Sequence, residues 1–289
     1  MADKGVVAID WYVSSAKLKR NSPILLIFPR LTGDAISVGQ ICKLGSANGM
    51  RAVVVNRRGH GASFMTTAKM TSTGDTKDTR KVVEYIFNNY PYVHIVGIGV
   101  GAGCAALLSY LGEYGSSSHL KAAVNISPSY DNTEKLCEQI PKFYELFLLF
   151  DLKILLLRYW KALYKVIDLK AAILKSWTLK EFDYHVYCKL YGIETFDSFW
   201  CRNDPMRDVD DIAVPVLCIN SLDDPVSVKE DIPLDLFEFY PNLLLVTVDK
   251  GGHCAFLENS KGESWAAHLA INFVDGVLEF IANSKFWHR

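Results

Sequence analysis

The stretch Val93-His94-Ile95-Val96-Gly97-Ile98-Gly99-Val100-Gly101-Ala102-Gly103 decides how the rest of the chain reads. A β-branched run (Val93, Ile95, Val96) enters a turn with glycine at every second position. Cys104-Ala105-Ala106-Leu107-Leu108-Ser109-Tyr110-Leu111 then suits a helix. Strand, tight turn and helix in that order call for glycine, which accepts positive φ and lets the helix pack close to the strand it leaves. Two chemistries use this construction. In the nucleophile elbow G-x-S-x-G, a serine sits at a strained apex. In the dinucleotide fingerprint G-x-G-x-x-G/A, glycine lets a pyrophosphate approach the helix N-terminus. Gly97-x-Gly99-x-Gly101 fits the first frame with Gly99 in the serine position, and Gly97-x-Gly99-x-x-Ala102 fits the second.

Strand and helix patterns alternate on both sides of this stretch. Residues 6–13 read as a strand leading in. Ile24-Leu25-Leu26-Ile27-Phe28 and Ala52-Val53-Val54-Val55 are continuous apolar runs, the pattern of strands buried on both faces of a parallel sheet. Residues 36–48 read as a helix stopped by Gly49, and 75–89 as another with Pro91 beyond its end. Further strands are expected at 122–126, 214–220 and 243–248, with a closing helix at 265–281. Strict alternation up to residue 126 argues for a parallel α/β sheet. Between about 132 and 200, Leu, Lys and aromatic residues recur at helical spacing, and no proline lies between Pro141 and Pro205. That segment is expected to be a helical lid inserted into an α/β core formed by 1–131 and 201–289.

Composition narrows the function classes. A chain of 289 residues that is 50% hydrophobic and 22% charged can bury a large core. A formal net charge of −1 offers no basic field for nucleic acid. The seven cysteines (42, 104, 137, 188, 201, 218, 254) show no C-x-x-C pairing, so reduced thiols in a cytoplasmic setting are expected rather than a disulfide frame or zinc site. Met1-Ala2-Asp3-Lys4-Gly5 has no apolar signal core. In the run from Leu146 to Leu157, Asp151 and Lys153 interrupt the apolar residues, which argues for core or interfacial packing over a membrane span.

The two frames make different demands. A dinucleotide site places its glycines after the first strand and an acid at the tip of the next. Here at least two strands precede the glycines, and the nearest acid, Asp131, comes late. A nucleotide-binding oxidoreductase is thus a distant alternative. The hydrolase order is nucleophile, acid, histidine. Asp224 follows a late strand, His253 follows the last strand in Gly251-Gly252-His253, and Phe28-Pro29-Arg30-Leu31-Thr32-Gly33 lies where an oxyanion-hole loop belongs.

Through these residues the chain resembles the α/β-hydrolase (abhydrolase-domain) family, in the branch of acylglycerol lipases, medium-chain phospholipases and esterases. The matching stretches are Leu31-Thr32-Gly33, Val55-Asn56-Arg57-Arg58-Gly59-His60-Gly61, Val96-Gly97-Ile98-x-x-Gly101, Phe182-Asp183 with Tyr191-Gly192, the run from Cys218 to Val226, and Gly251-Gly252-His253 with Phe256. The resemblance implies a mostly parallel sheet with a helical lid, no cofactor and no metal. It also implies a lipid or acyl-ester ligand and an N-terminal membrane anchor in many members. His253 maps onto the general base and Asp224 onto the acid that orients it, with Val100 and Leu31 as oxyanion N–H donors. Two departures fall on the chemistry: Gly99 stands in the serine position, and Arg30 replaces a glycine of the oxyanion loop.

A triad without its nucleophile loses on the order of 10⁶ in kcat, keeping about 10³–10⁴ over water. The expectation is therefore a lipid-esterase relative that binds a lipid or a partner protein, with peripheral membrane contact through the lid. The alternative is slow ester hydrolysis by the His253–Asp224 pair through water or an unconventional nucleophile, for which Cys104, Ser127 and Ser221 are weak candidates. Arg30 is a candidate ligand residue for a carboxylate or phosphate. His60 is expected to shape its loop and Asp223 to cap a turn. His94, His119, His185, His268 and His288 lack metal-ligand spacing.

Overall fold

The computed structural model describes residues 1–289 except 2, 15–17, 62, 131–138, 261 and 285–289. Asp131, Cys137, His288 and the expected start of the lid near 132 lie outside the described residues. Seven strands form one sheet: β1 (Ile9–Trp11), β2 (Ile24–Phe28), β3 (Arg51–Val55), β4 (Ile95–Val100), β5 (Leu120–Ile126), β6 (Val216–Ser221) and β7 (Leu243–Val248). Their order is β1-β3-β2-β4-β5-β6-β7. Only β1 is antiparallel, against β3. It covers three residues of the expected 6–13, because an edge strand with one neighbour gains ladder bonds only where that neighbour runs alongside it. The other pairs are parallel. The glycine-rich strand β4 is central, with three strands before it, so it is not the opening strand of a nucleotide-binding half.

The apolar runs behave as two-faced strands. In β2, Leu25 and Ile27 join a cluster on one face with Ile41, Ala270, Ile271 and Val274. Ile24, Leu26 and Phe28 join one on the other face with Val82, Ile86, Leu107 and Leu111. Helices α1 (Gly39–Ala47) and α11 (Trp265–Ser284) thus cover one face, while α2 (Lys77–Asn89) and α3 (Ala102–Tyr114) cover the other. Burial on this scale, at roughly 1.5–3 kcal/mol for each fully buried large aliphatic side chain, dominates what favours folding. By length and composition α11 could cross a membrane, but Ala266, Ala267, Ala270, Ile271, Val274 and Leu278 are packed into the sheet core.

Between β5 and β6 run α4 (Lys142–Arg158), α5 (Trp160–Leu163), α6 (Leu169–Leu174), α7 (Leu179–Asp183), a π-helical turn (Tyr184–Cys188), α8 (Lys189–Tyr191) and α9 (Phe196–Asn203). The helices continue three residues beyond the expected end at 200. They share a cluster that includes Leu149, Leu152, Leu156, Phe182, Val186 and Phe199. Polar contacts tie them to the loop after β3. Arg158 donates to the Gly61 carbonyl at 2.7 Å, Tyr159 to the Ser63 carbonyl, and Tyr191 to Asp75 at 2.9 Å. A short helix α10 (Leu234–Phe239) precedes β7.

Candidate active site

The apex of the glycine-rich turn is Gly101, where φ is +53° and ψ is −121°. An L-residue adopts that conformation only under strain, as the nucleophile of an elbow does. Gly99, expected at the apex, lies inside β4, paired with Phe28 and Asn125. A Cβ on Gly99 would fall 2.7 Å from Cys104 Cα and 2.8 Å from Cys104 N, inside packed backbone. A Cβ on Gly101 would lie 3.3 Å from Cys254 Sγ, 3.4 Å from His253 Nε2 and 3.5 Å from Arg30 Cγ. The frame that the backbone uses is therefore Gly99-x-Gly101-x-Gly103, two residues later than the sequence reading. β4 runs to Val100, so the turn starts later than its first glycine. Gly103 is required for a separate reason: a Cβ there would meet the Phe28 carbonyl oxygen at 2.1 Å. This closeness seats the start of α3 against the end of β2.

The shift also moves the expected oxyanion donor. Val100 is the last residue of β4 and precedes the apex, whereas Ala102 comes directly after it. Ala102 opens α3, and N–H groups of a first turn have no acceptor within their own helix. Leu31 borders the same cavity as Gly101 and Ala102, and Arg30 also lines it.

The structure brings His253 and Asp224 together. His253 Nδ1 donates to Asp224 Oδ2 at 2.9 Å, and the Asp224 side chain is fully buried. The Val226 and Ser227 amides donate to Asp224 Oδ1 at 2.8 and 3.0 Å, which fixes the carboxylate. Burial alone would pull the His253 pKa down. The hydrogen bond to Asp224, then the neighbouring Cys254 side chain and the Asp224 charge, outweigh it and raise the pKa from 6.5 to about 10.

Asp223 does more than cap a turn. Its Oδ1 accepts the Gly251 and Gly252 amides at 2.9 and 2.8 Å and the Ser221 hydroxyl at 2.5 Å. It thereby ties the loop that carries His253 to the end of β6. The Ser221 bond, then the two amides, hold the Asp223 pKa down at about 2. No spacing rule in the sequence marks this role.

The other candidates do not occupy the strained apex, although Ser127 lines the same cavity as Gly101 and His253. Cys104 is fully buried, donates to the Ile126 carbonyl at 3.3 Å, and its thiol pKa is pushed up by burial. Ser127 accepts the Cys254 amide at 3.0 Å, and Ser221 is engaged with Asp223. His60 is buried, with Nδ1 3.1 Å from the Arg58 carbonyl and Nε2 2.9 Å from the Tyr187 hydroxyl. Burial and then the nearby Arg57 charge hold its pKa well below 6.5, so it serves as a neutral bridge from its loop to the helices above. Among the described residues, no group of three or more His, Cys, Asp or Glu could hold a metal ion.

A cavity of about 460 Å³ opens from Gly101 and His253 toward the helices. Arg30 and Arg57 lie on its wall beside Tyr144, Phe147, Leu148, Leu152, Phe199 and Trp200. A volume of this order, mostly apolar with a few convergent polar groups, is that of a small-molecule site. Asp183, also on the wall, has its pKa raised to about 7, because burial outweighs the opposing pull of Arg57.

Known proteins share this architecture. A family described as alpha/beta hydrolase fold matches residues 23–260. Human Protein ABHD15 is 36% identical over 300 residues, covering 99% of this chain and 63% of its own length. Bovine Phospholipase ABHD3 is 29% identical, with 96% of this chain and 70% of that protein covered. Monoacylglycerol lipase of Saccharomyces cerevisiae is 24% identical, with 91% and 62% covered. The chain thus spans roughly two thirds of these relatives. Among solved structures, the Pyrococcus furiosus esterase Pf2001 superposes with a TM-score of 0.59 at 16% identity, over 93% of this chain and 87% of that one. Est1E of Butyrivibrio proteoclasticus, with ferulic acid bound, gives a TM-score of 0.57 at 16% identity, over 96% and 95%.

Proposed function

Since the chain belongs to the alpha/beta hydrolase fold family, we propose that it binds an acyl lipid or acyl ester beneath a helical lid and does not cleave it by serine chemistry. The observation that carries this reading is Gly101. A residue with no side chain occupies the strained apex 3.4 Å, at its missing Cβ, from the His253 ring. Without a hydroxyl there, no serine acyl-enzyme forms. The acyl chain lies along Phe147, Leu152 and Phe199, and its carbonyl or carboxylate end faces His253, the Ala102 and Leu31 amides and Arg30. Cationic groups at that end favour an anionic or strongly polarised head. Relatives named phospholipase and monoacylglycerol lipase support an acyl-lipid ligand. Hydrolysis by a water in the serine's place would need a neutral imidazole, and Asp224 works against that by raising the His253 pKa to about 10.

The lid also carries a membrane-facing surface. Along α4, Phe143, Phe147, Phe150, Ile154 and Leu157 are exposed, spaced by four and three residues into one stripe, while Leu149, Leu152 and Leu156 on the opposite side are buried. Residues 142–192 hold nine Lys and Arg against five Asp and Glu, in a chain whose net charge is −1. An apolar stripe with basic flanks suits the interface of an anionic bilayer.

The test is direct binding. A fluorescent medium-chain fatty acid should bind the purified chain at one site and be displaced by acyl esters. Arg30→Ala and Phe147→Asp should each weaken binding, and a fluorophosphonate probe should leave the wild-type serines unlabelled. Absence of acyl binding, or probe labelling at a serine, would overturn the reading.

A further inference from the structure

We propose that Cys254 is a nucleophile: its thiol, paired with the His253–Asp224 imidazole beside the bare apex at Gly101, takes the acyl group of an ester bound in the cavity. This rests on the acyl-binding reading and adds a chemical step to it.

The geometry singles out this thiol. The space a serine side chain would fill at Gly101 is bordered by Cys254 Sγ and His253 Nε2, at 3.3 and 3.4 Å from the Cβ position. The loss of one nucleophile and the presence of another therefore coincide at one point. Cys254 is held in place: its amide donates to Ser127 Oγ at 3.0 Å, and its backbone takes the left-handed conformation, with φ +63°. It is half-buried and free, whereas Cys42, Cys104, Cys188 and Cys218 are buried, and burial pushes all four thiols up, Cys42 and Cys188 to about 11 and Cys218 to about 12. Those four are inert packing groups. Cys254 instead lies beside the His253 imidazole at the apex, the two bordering one Cβ position at Gly101. A neighbouring imidazolium stabilises a thiolate, the form that attacks.

The step balances within these groups. For attack, the pair carries its proton on His253 Nε2 and its negative charge on Cys254 Sγ. Sγ adds to the acyl carbon, and the carbonyl pair moves onto oxygen, facing the Ala102 and Leu31 amides. When the oxyanion collapses, the C–O bond to the leaving alkoxide breaks, and the alkoxide takes the Nε2 proton and departs as alcohol. The product is a Cys254 thioester beside a neutral imidazole. Water entering the space over Gly101 then gives a proton to Nε2 as its oxygen adds to the thioester carbon. The C–S bond breaks, the free acid leaves, and the thiolate–imidazolium pair is restored.

The purified chain is mixed with 4-nitrophenyl octanoate and followed by 4-nitrophenol release and intact-protein mass. Wild type should release nitrophenol and carry one octanoyl adduct, removed by neutral hydroxylamine and mapped to the peptide containing Cys254. Cys254→Ala should abolish the adduct and lower release at least tenfold, Cys254→Ser should lower release likewise, and His253→Ala should slow adduct formation at least tenfold. All variants are checked for unchanged thermal unfolding and for binding of the fluorescent fatty acid. An adduct on another residue, release that survives Cys254→Ala, or neither adduct nor release from a wild type that still binds fatty acid would each overturn the thiol step while leaving the binding reading intact. A wild type that binds no acyl ligand would overturn both.

Discussion

At the scale of single residues, two glycines two positions apart have opposite tolerances. Gly99→Ser puts a side chain against the Cys104 backbone at 2.7–2.8 Å, so overpacking should cost about 1–3 kcal/mol and lower Tm without creating a reactive serine. Gly101→Ser meets only side-chain atoms at 3.3–3.5 Å, and the strain of its φ is the strain an elbow serine carries. That variant should remain folded and become labelled by a fluorophosphonate; thermal melts and probe gels on the pair check both outcomes. His253 carries a second expectation. With its pKa raised to about 10, the charged pair with Asp224 contributes its full stability below the free-histidine value of 6.5, and that contribution is lost as pH rises through 10. An NMR titration of the ring should show the high midpoint in wild type. Asp224→Asn should bring it down toward or below 6.5, because the burial that opposes protonation remains.

At the scale of elements, the site depends on how closely the ends of β2 and β7 are tied to their neighbours. The start of α3 abuts the end of β2 because Gly103 has no Cβ to meet the Phe28 carbonyl. Gly103→Ala should separate the two, costing about 1–3 kcal/mol in chemical denaturation and weakening acyl binding, since Leu31 lies in the displaced loop. The loop after β7 is held from below by Asp223 through the Gly251 and Gly252 amides. Asp223→Ala should speed hydrogen exchange at those two amides about tenfold or more while leaving the β4 amides unchanged. The helix α7 is legible from its first turn. Thr178 and Glu181 form a capping box in which Glu181 N donates to Thr178 Oγ1 at 3.1 Å and Thr178 N to Glu181 Oε2 at 3.1 Å.

At the scale of the whole molecule, charge and apolar surface are divided between the two layers. The helices between β5 and β6 carry an excess of basic side chains and the exposed stripe on α4, while the sheet layer holds the compensating acids. Anionic vesicles of mixed phosphatidylcholine and phosphatidylserine should therefore retain the chain in flotation. Phe147→Asp combined with Phe150→Asp should reduce retention several-fold, and added salt should weaken it. Retention unaffected by that double variant would remove the stripe from any membrane role.

By itself the sequence determined the sheet. Continuous apolar runs such as 24–28 and 52–55 read as strands covered on both faces, and the order of glycine turn, Asp224 and His253 comes from where the strands end. It also determined that Asp224 and His253 belong together, because each lies just past a strand at the same edge of a parallel sheet. Only the tertiary structure decided which glycine is the apex. Three alternate glycines are equivalent as letters, and what separates them is whether the missing Cβ would point into backbone or toward the imidazole. It likewise brought Asp223 onto the Gly251 and Gly252 amides and Cys254 beside Gly101, contacts that depend on loops brought together across the sheet edge. No spacing along the chain encodes those approaches; the packing of β2, β4, β6 and β7 into one sheet creates them.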